Sequence, residues 1–233
     1  PNQRALSTAL GNPAAPFIMV NQQDDDNFRF GILGPLSVGV EMGDVSDLAD
    51  QVEEIEGLID NANAINAVSN KNRANDILDE IGNSAYVKTT LSMQVPFMPV
   101  IYKTKDNGAF MLDASISGVA KGNLLADKVA VNGTNDGLAS DTSFYAQTAT
   151  DFQIGLGYSQ AMWENSHGML VGGAKANIHQ ISMGRALVRL DDDSIDAGDA
   201  ISDSISDDAV SSTGVGIDLG AVWVSNYYQV GLT

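Results

Sequence analysis

Two aspartate runs, Asp24 to Asp26 and Asp191 to Asp193, are the first residues with evident chemistry, because clustered carboxylates supply the hard oxygen donors that calcium takes. Neither run has the spacing of an EF-hand or of a calcium-binding β-helix repeat, which favours solvated acidic loops. The two histidines, His167 and His179, fall in a turn and near a strand end. The chain has no cysteine, no His-Glu-x-x-His pattern and no third clustered ligand, so no metal or cofactor is expected. A Ser-His-Asp set stays open on sequence alone, but no nucleophile-elbow motif frames one and the chain reads as a non-enzyme. Lys88, Asp113, Lys175, Asn177, His179 and Asp218 occupy the polar positions of alternating segments. On one face of a sheet, opposite charges can pair and shape an interior, either as a conduit or as a satisfied internal network.

The elements that carry these residues alternate apolar and polar side chains at strand period. Phe28, Phe30 and Ile32 form one set, and Leu36, Val38, Val40 and Met42 form the next. Val87 to Phe97, Phe110 to Ile116, Phe152 to Tyr158 and Val215 to Trp223 repeat the pattern. Short connections at Lys105-Asp106-Asn107-Gly108 and Glu164 to Gly168 alternate with long ones at roughly 43–84, 120–148 and 182–213. Asn107-Gly108 suits a tight hairpin because both residues tolerate positive φ. The first long connection reads as helical, with Ser46 as a cap and Leu48, Val52, Ile55 and Ile59 at helical spacing. A second helix is expected over Arg73 to Ile81, and the acidic segment 191–208 reads as a solvated loop with a short helix. Alternating short turns and long loops are the wiring of a transmembrane β-barrel.

Bulk properties agree with this reading. The 233 residues carry a net charge of −18, which disfavours nucleic acid as a partner. Charged residues make up 18% of the chain. No apolar run is long enough for a membrane-crossing helix. Trp163, Trp223, Tyr158, Tyr227 and Tyr228 lie near strand ends, where aromatic rings suit a membrane interface or the rim of a soluble sandwich.

The N-terminal third resembles two related groups of outer-membrane barrels, the FadL-type long-chain hydrocarbon transporters and the plasmid conjugal-transfer TraF proteins. The resemblance rests on Asn12-Pro13-Ala14, the Asp-rich spacer, Gly34-Pro35, Gly43-Asp44 and the acidic helix beginning Asp47-Leu48-Ala49-Asp50. It continues in Gly157-Tyr158-Ser159 and in Asp218-Leu219-Gly220-Ala221-Val222-Trp223. It implies an outer-membrane barrel whose N-terminal segment, with Asn12, Pro13 and Ala14, folds inward as a hatch. The glycine-rich stretch that usually precedes Asn-Pro-Ala is largely missing, and Thr233 is not the closing aromatic residue that such chains generally have.

The expected architecture is all-β: an antiparallel up-and-down transmembrane barrel of about seven or eight strands, incomplete at its C-terminal end. Residues 1–26 form the hatch, and residues 27–233 form the barrel with a helical insertion at about 46–82. Lys88, Asp113, Lys175, Asn177 and Asp218 face the lumen. Ile154, Leu156, Leu219 and Trp223 face lipid, opposite Gln153, Ser159, Asp218 and Gly220. The expected function is passage or binding of small hydrophobic molecules, or service to a conjugation or secretion apparatus, in the bacterial outer membrane. The alternatives are a soluble periplasmic or surface β-sandwich for binding or adhesion, and an outer-membrane hydrolase. The lipid bilayer is the expected partner; ligand identity and oligomeric state stay open.

Overall fold

The computed structural model describes residues 10–21, 27–82, 84–132, 137–189 and 209–233. Both aspartate runs and the acidic segment 191–208 fall outside these residues. More than half of the described residues form one antiparallel sheet of nine strands. Its members are β1 (Phe28–Phe30), β2 (Leu36–Met42), β3 (Tyr86–Gln94), β4 (Val100–Lys103), β5 (Gly108–Leu125), β8 (Ser143–Asn165), β9 (Gly168–Arg189), β10 (Val210–Val224) and β11 (Gln229–Leu232). With β1 and β2 counted as one strand, and β3 and β4 as the next, the sheet is an antiparallel meander.

The first two strands of the meander are each broken once. β1 pairs β4 and β2 pairs β3, while β3 and β4 both pair β5. Gln94 lies opposite Ser115 and Val100 opposite Leu112, so the segment 95–99 faces only Asp113 and Ala114. Pro96 and Pro99 in that segment cannot donate to a ladder, and Phe97 takes φ 66°. The alternation through Val95 and Phe97 therefore ends at Gln94 instead of continuing as strand.

Helices and a small hairpin cap one rim. α2 (Leu48–Asp60) and α3 (Ala67–Ile81) fill the connection from β2 to β3. The connection from β5 to β8 carries the two-stranded β6 (Ala130–Asn132) and β7 (Gly137–Ala139). Ile55, Ile77, Leu78 and Ile81 pack with Leu124, Val129 and Leu138 into a core at this rim. Asn75 clamps the layers, since its amide donates to the Val129 carbonyl at 3.3 Å and its oxygen accepts from the Val129 N–H at 2.8 Å. The opposite rim holds only short turns: Thr104 to Asn107, Ser166-His167 and Ser225 to Tyr228. The two long connections that the structure describes thus lie at the rim opposite the short turns, as expected, while most of the third lies outside the described residues.

Several boundaries differ from the sequence reading. β9 runs to Arg189, beyond the expected start of the third long connection near 182, and its outward positions, which include Ala174, Ala176, Gln180 and Ser182, carry no apolar alternation. β5 and β8 run further than expected, which shortens the connection between them to 126–142. Ser46 does not cap α2: Asp47 holds the N-cap position, and the Ser46 hydroxyl bonds Asp44. α3 starts at Ala67 rather than Arg73. Of the turn pair Asn107-Gly108, only Asn107 takes positive φ, at 54°. The fold is all-β and antiparallel, but closure is not observed: among the described residues no ladder joins β1 or β2 to β11.

Candidate functional site

Period-two geometry gives the sheet two unlike faces. One carries Phe152, Ile154 and Leu156 on β8 and Val215, Ile217 and Leu219 on β10, all exposed. The other carries Gly155, Gly157 and Ser159 on β8 and Asn177 and Lys175 on β9, all buried. The sheet curls about this second face, and α1 (Ala15–Asn21) lies inside the curl against β4, β5, β8 and β9.

Asn12, Pro13 and Ala14 open the inner segment. The Asn12 side-chain oxygen accepts from the Ala14 N–H at 2.9 Å, and its backbone carbonyl accepts from Ala15 at 3.0 Å, which turns the chain into α1. The Asn12 amide also donates to the Leu232 carbonyl of β11 at 3.2 Å. The tripeptide sits directly on strand backbone. A β-carbon at Gly173 would come within 2.1 Å of the Pro13 carbonyl oxygen, and one at Gly220 within 2.3 Å of the Asn12 side chain. Phe17, Met19 and Val20 then fill the curl against Ile101, Met111, Val171 and Val222. The Ser159 hydroxyl, fully buried, accepts from the Phe17 N–H at 2.9 Å. Arg29, between the outward Phe28 and Phe30, turns inward and donates to the Met19 carbonyl at 2.9 Å. One end of the curl is therefore filled by its own N-terminal segment.

A polar ladder crosses the same face next to this filling. The Lys175 ammonium donates to the Asp113 carboxylate at 3.0 Å, and both residues are under 5% exposed. The pair spans β8 at Gly155, where a β-carbon would approach Lys175 to 2.2 Å and Asp113 to 2.3 Å. Only glycine leaves room for that reach. Gln153 donates to Asn177 at 2.9 Å, and Asn177 donates to Asp218 at 2.7 Å. His179 pairs with Asp151 at 3.0 Å. Asp113 Oδ1 and both polar atoms of the Gln94 side chain are buried without a partner in the described structure.

All five residues expected to face an interior, Lys88, Asp113, Lys175, Asn177 and Asp218, lie on this one face. Four belong to the ladder. Lys88 stands apart, nearer the long-connection rim, 3.5 Å from Glu41. Gln153, Ser159 and Gly220, expected opposite the apolar set, complete the arrangement together with Gly155 and Gly173, whose close contacts were not singled out by sequence. Their signal was the small or polar partner of each alternating pair, which marks a face but not a contact.

The arrangement pairs charges across the recessed face. No hydroxyl is hydrogen-bonded to the His179 ring among the described residues, and no cluster of three potential metal ligands occurs there.

A family model described as the F plasmid transfer operon TraF protein matches residues 9–233. No curated protein and no solved structure matches the chain. The likeness to FadL-type transporters has no counterpart among these findings.

Proposed function

The chain belongs to the family of the F plasmid transfer operon TraF protein, and from that premise we propose that it serves plasmid transfer as a β-wall embedded in the bacterial outer membrane. The observation that carries this reading is the outward face. Phe28, Phe30, Tyr102, Phe110, Leu112, Ile116, Leu156, Ile178, Ile217, Leu219, Val230 and Leu232 are all exposed on successive strands. Such a surface far exceeds what a water-soluble monomer tolerates. On β10 the apolar set runs from Val215 to Trp223, roughly 27 Å of strand at about 3.4 Å per residue. Tilted as membrane strands are, that length suits a bilayer core. Trp163 and Trp223 meet in a tilted pair at its turn-side end with ring centroids 5.8 Å apart, where an interfacial girdle belongs.

A β-sandwich would bury this face under a second sheet. The other sheet among the described residues is the β6–β7 hairpin, which packs on the helices instead. Passage of small hydrophobic molecules fits less well than service to the transfer apparatus. The inner face is crossed by the Asp113–Lys175 pair and filled by Phe17 and its neighbours, so an apolar molecule meets no continuous apolar path. The N-terminal segment acts as a fixed hatch.

Membrane fractionation tests the reading. The full chain is expected to stay in the outer-membrane fraction after alkaline carbonate washing and to be monodisperse only in detergent. A chain that is released by carbonate and monodisperse in plain buffer would sink it.

A further inference from the structure

The inner face carries a second feature, nearer the long-connection rim, which the family does not explain. Glu41, Lys88, Lys121, Gln147 and Arg185 form one transverse row across β2, β3, β5, β8 and β9, because Glu41 pairs Lys88, Lys88 pairs Lys121, Lys121 pairs Gln147 and Gln147 pairs Arg185 in register. Adjacent members therefore stand about 4.8 Å apart along the row. Lys88 and Lys121 are like charges directly opposite each other, an arrangement that weakens a sheet.

Glu41 offsets only part of this. It accepts from Lys88 at 3.5 Å and from the Tyr86 hydroxyl at 2.9 Å. Lys121 lies over the Tyr86 ring at 5.7 Å, and among the described residues no carboxylate pairs with Lys121 or Arg185. The row borders a groove of about 730 Å³, lined by these three cations and the single carboxylate of Glu41. A local positive excess in a chain of net charge −18 is not a by-product of composition. Val119, Ala149, Met183 and Val210 give the same groove an apolar wall.

We propose that this groove binds a phosphate monoester attached to an apolar group, with Lys88, Lys121 and Arg185 holding the phosphate. A monoester carries nearly two negative charges at neutral pH, matching the excess of the row. Arg185 offers a planar fork to two oxygens, and the lysines act as point charges. The volume exceeds what a free ion needs, and the apolar wall takes the attached group. Longer polyanions are repelled by the rest of the chain. The proposal does not depend on the membrane reading, since the groove belongs to the folded sheet in either setting.

The test is calorimetric titration of the full chain in a maltoside detergent with three probes: dihexanoyl phosphatidic acid, the matching phosphatidylcholine, and inorganic phosphate. Phosphatidic acid should bind in a salt-sensitive manner and phosphatidylcholine should not. Lys121→Gln and Arg185→Gln should each weaken binding about tenfold, the loss of one charge-assisted hydrogen bond. Lys105→Gln, in a turn at the opposite rim, should leave it unchanged. Free Lys121→Gln protein should melt at or above the parent temperature while losing the ligand-induced rise, a pattern a purely structural lysine would not give. Binding of inorganic phosphate as tight as that of the ester would keep the phosphate site and strip the apolar wall of its role. No binding of either phosphate, equal binding of phosphatidylcholine, or binding untouched by both variants would overturn the proposal.

Discussion

Gly173 has no room for a β-carbon, because the Pro13 carbonyl oxygen would lie 2.1 Å from it. Gly214, further along the same face, has nothing within 4 Å of that position. Gly173→Ala should therefore lift the hatch and cost about 1–3 kcal/mol, the usual penalty of overpacking. Gly214→Ala should be neutral or stabilise by about 0.5 kcal/mol through the unfolded chain. Urea titration in detergent, with limited proteolysis between residues 10 and 21, reads both; equal behaviour of the two variants would show that the tripeptide is not seated on the strands. The Asp113–Lys175 pair gives a second comparison. Lys175→Met leaves a buried carboxylate alone and should cost about 3–5 kcal/mol, whereas adding Asp113→Asn should restore much of it. The membership of Asp113, Lys175, Asn177 and Asp218 in one face was legible from period-two positions. Their pairing was not, because it depends on Gly155 of the intervening strand letting Lys175 reach across.

At the scale of elements, the helical cap was legible in kind and imprecise in extent. Ile55, Ile77, Leu78 and Ile81 announce apolar stripes, but α3 gains its first turns from Ala67, buried against the rim core. Asn66 holds the N-cap position, but its side chain bonds back to Asn63 and Asn61 instead of capping the helix, and tertiary packing sets the start. Asn75 ties α3 to Val129, just ahead of β6, through two hydrogen bonds, so Asn75→Ala should cost about 1–3 kcal/mol by leaving the Val129 groups unpaired. Earlier proteolytic cutting of the 126–142 connection, with the strands still intact, would report it. α2 and α3 are also joined by Glu54 and Arg73, at 2.7 and 3.1 Å. The guanidinium bond to Glu54 holds that carboxyl below its ordinary 4.5. A lowered folded value means the contribution is present above the unfolded value and is lost as pH falls through the folded one. Both groups are exposed, so the effect is small. Helical circular dichroism should show a slightly steeper acid loss in the parent than in Glu54→Gln; identical profiles would remove the ion pair from the helix contact.

For the molecule as a whole, what the sequence disclosed was a meander with two unlike faces, and what it left short was β9. In β9 the outward Ala174 and Ala176 are too small, and Gln180 and Ser182 too polar, to mark an apolar alternation, although the ladders of β8 and β10 fix its place. Closure is equally invisible in residue patterns, because it depends on pairing between strands far apart in sequence. The face assignment nevertheless makes a whole-molecule claim that can be read residue by residue. The chain has no cysteine, so single-cysteine variants label one position each without a background. Along β10, Ile217 and Leu219 are exposed on the apolar face, while Gly214 and Gly216 alternate with that set and lie on the face of Asn177 and His179. Fluorophores on Ile217→Cys and Leu219→Cys, in protein reconstituted into vesicles, should be quenched by spin-labelled lipid chains and little by aqueous iodide. Those on Gly214→Cys and Gly216→Cys should show the reverse, because a period-two strand sends neighbours to opposite sides. Lipid quenching that fails to alternate would mean the sheet does not stand with one face in the bilayer. Iodide reaching Ile217 and Leu219 freely would mean that the exposed apolar face meets water or another protein instead, and the membrane wall would have to be abandoned even though the meander and its inner ladder would stand.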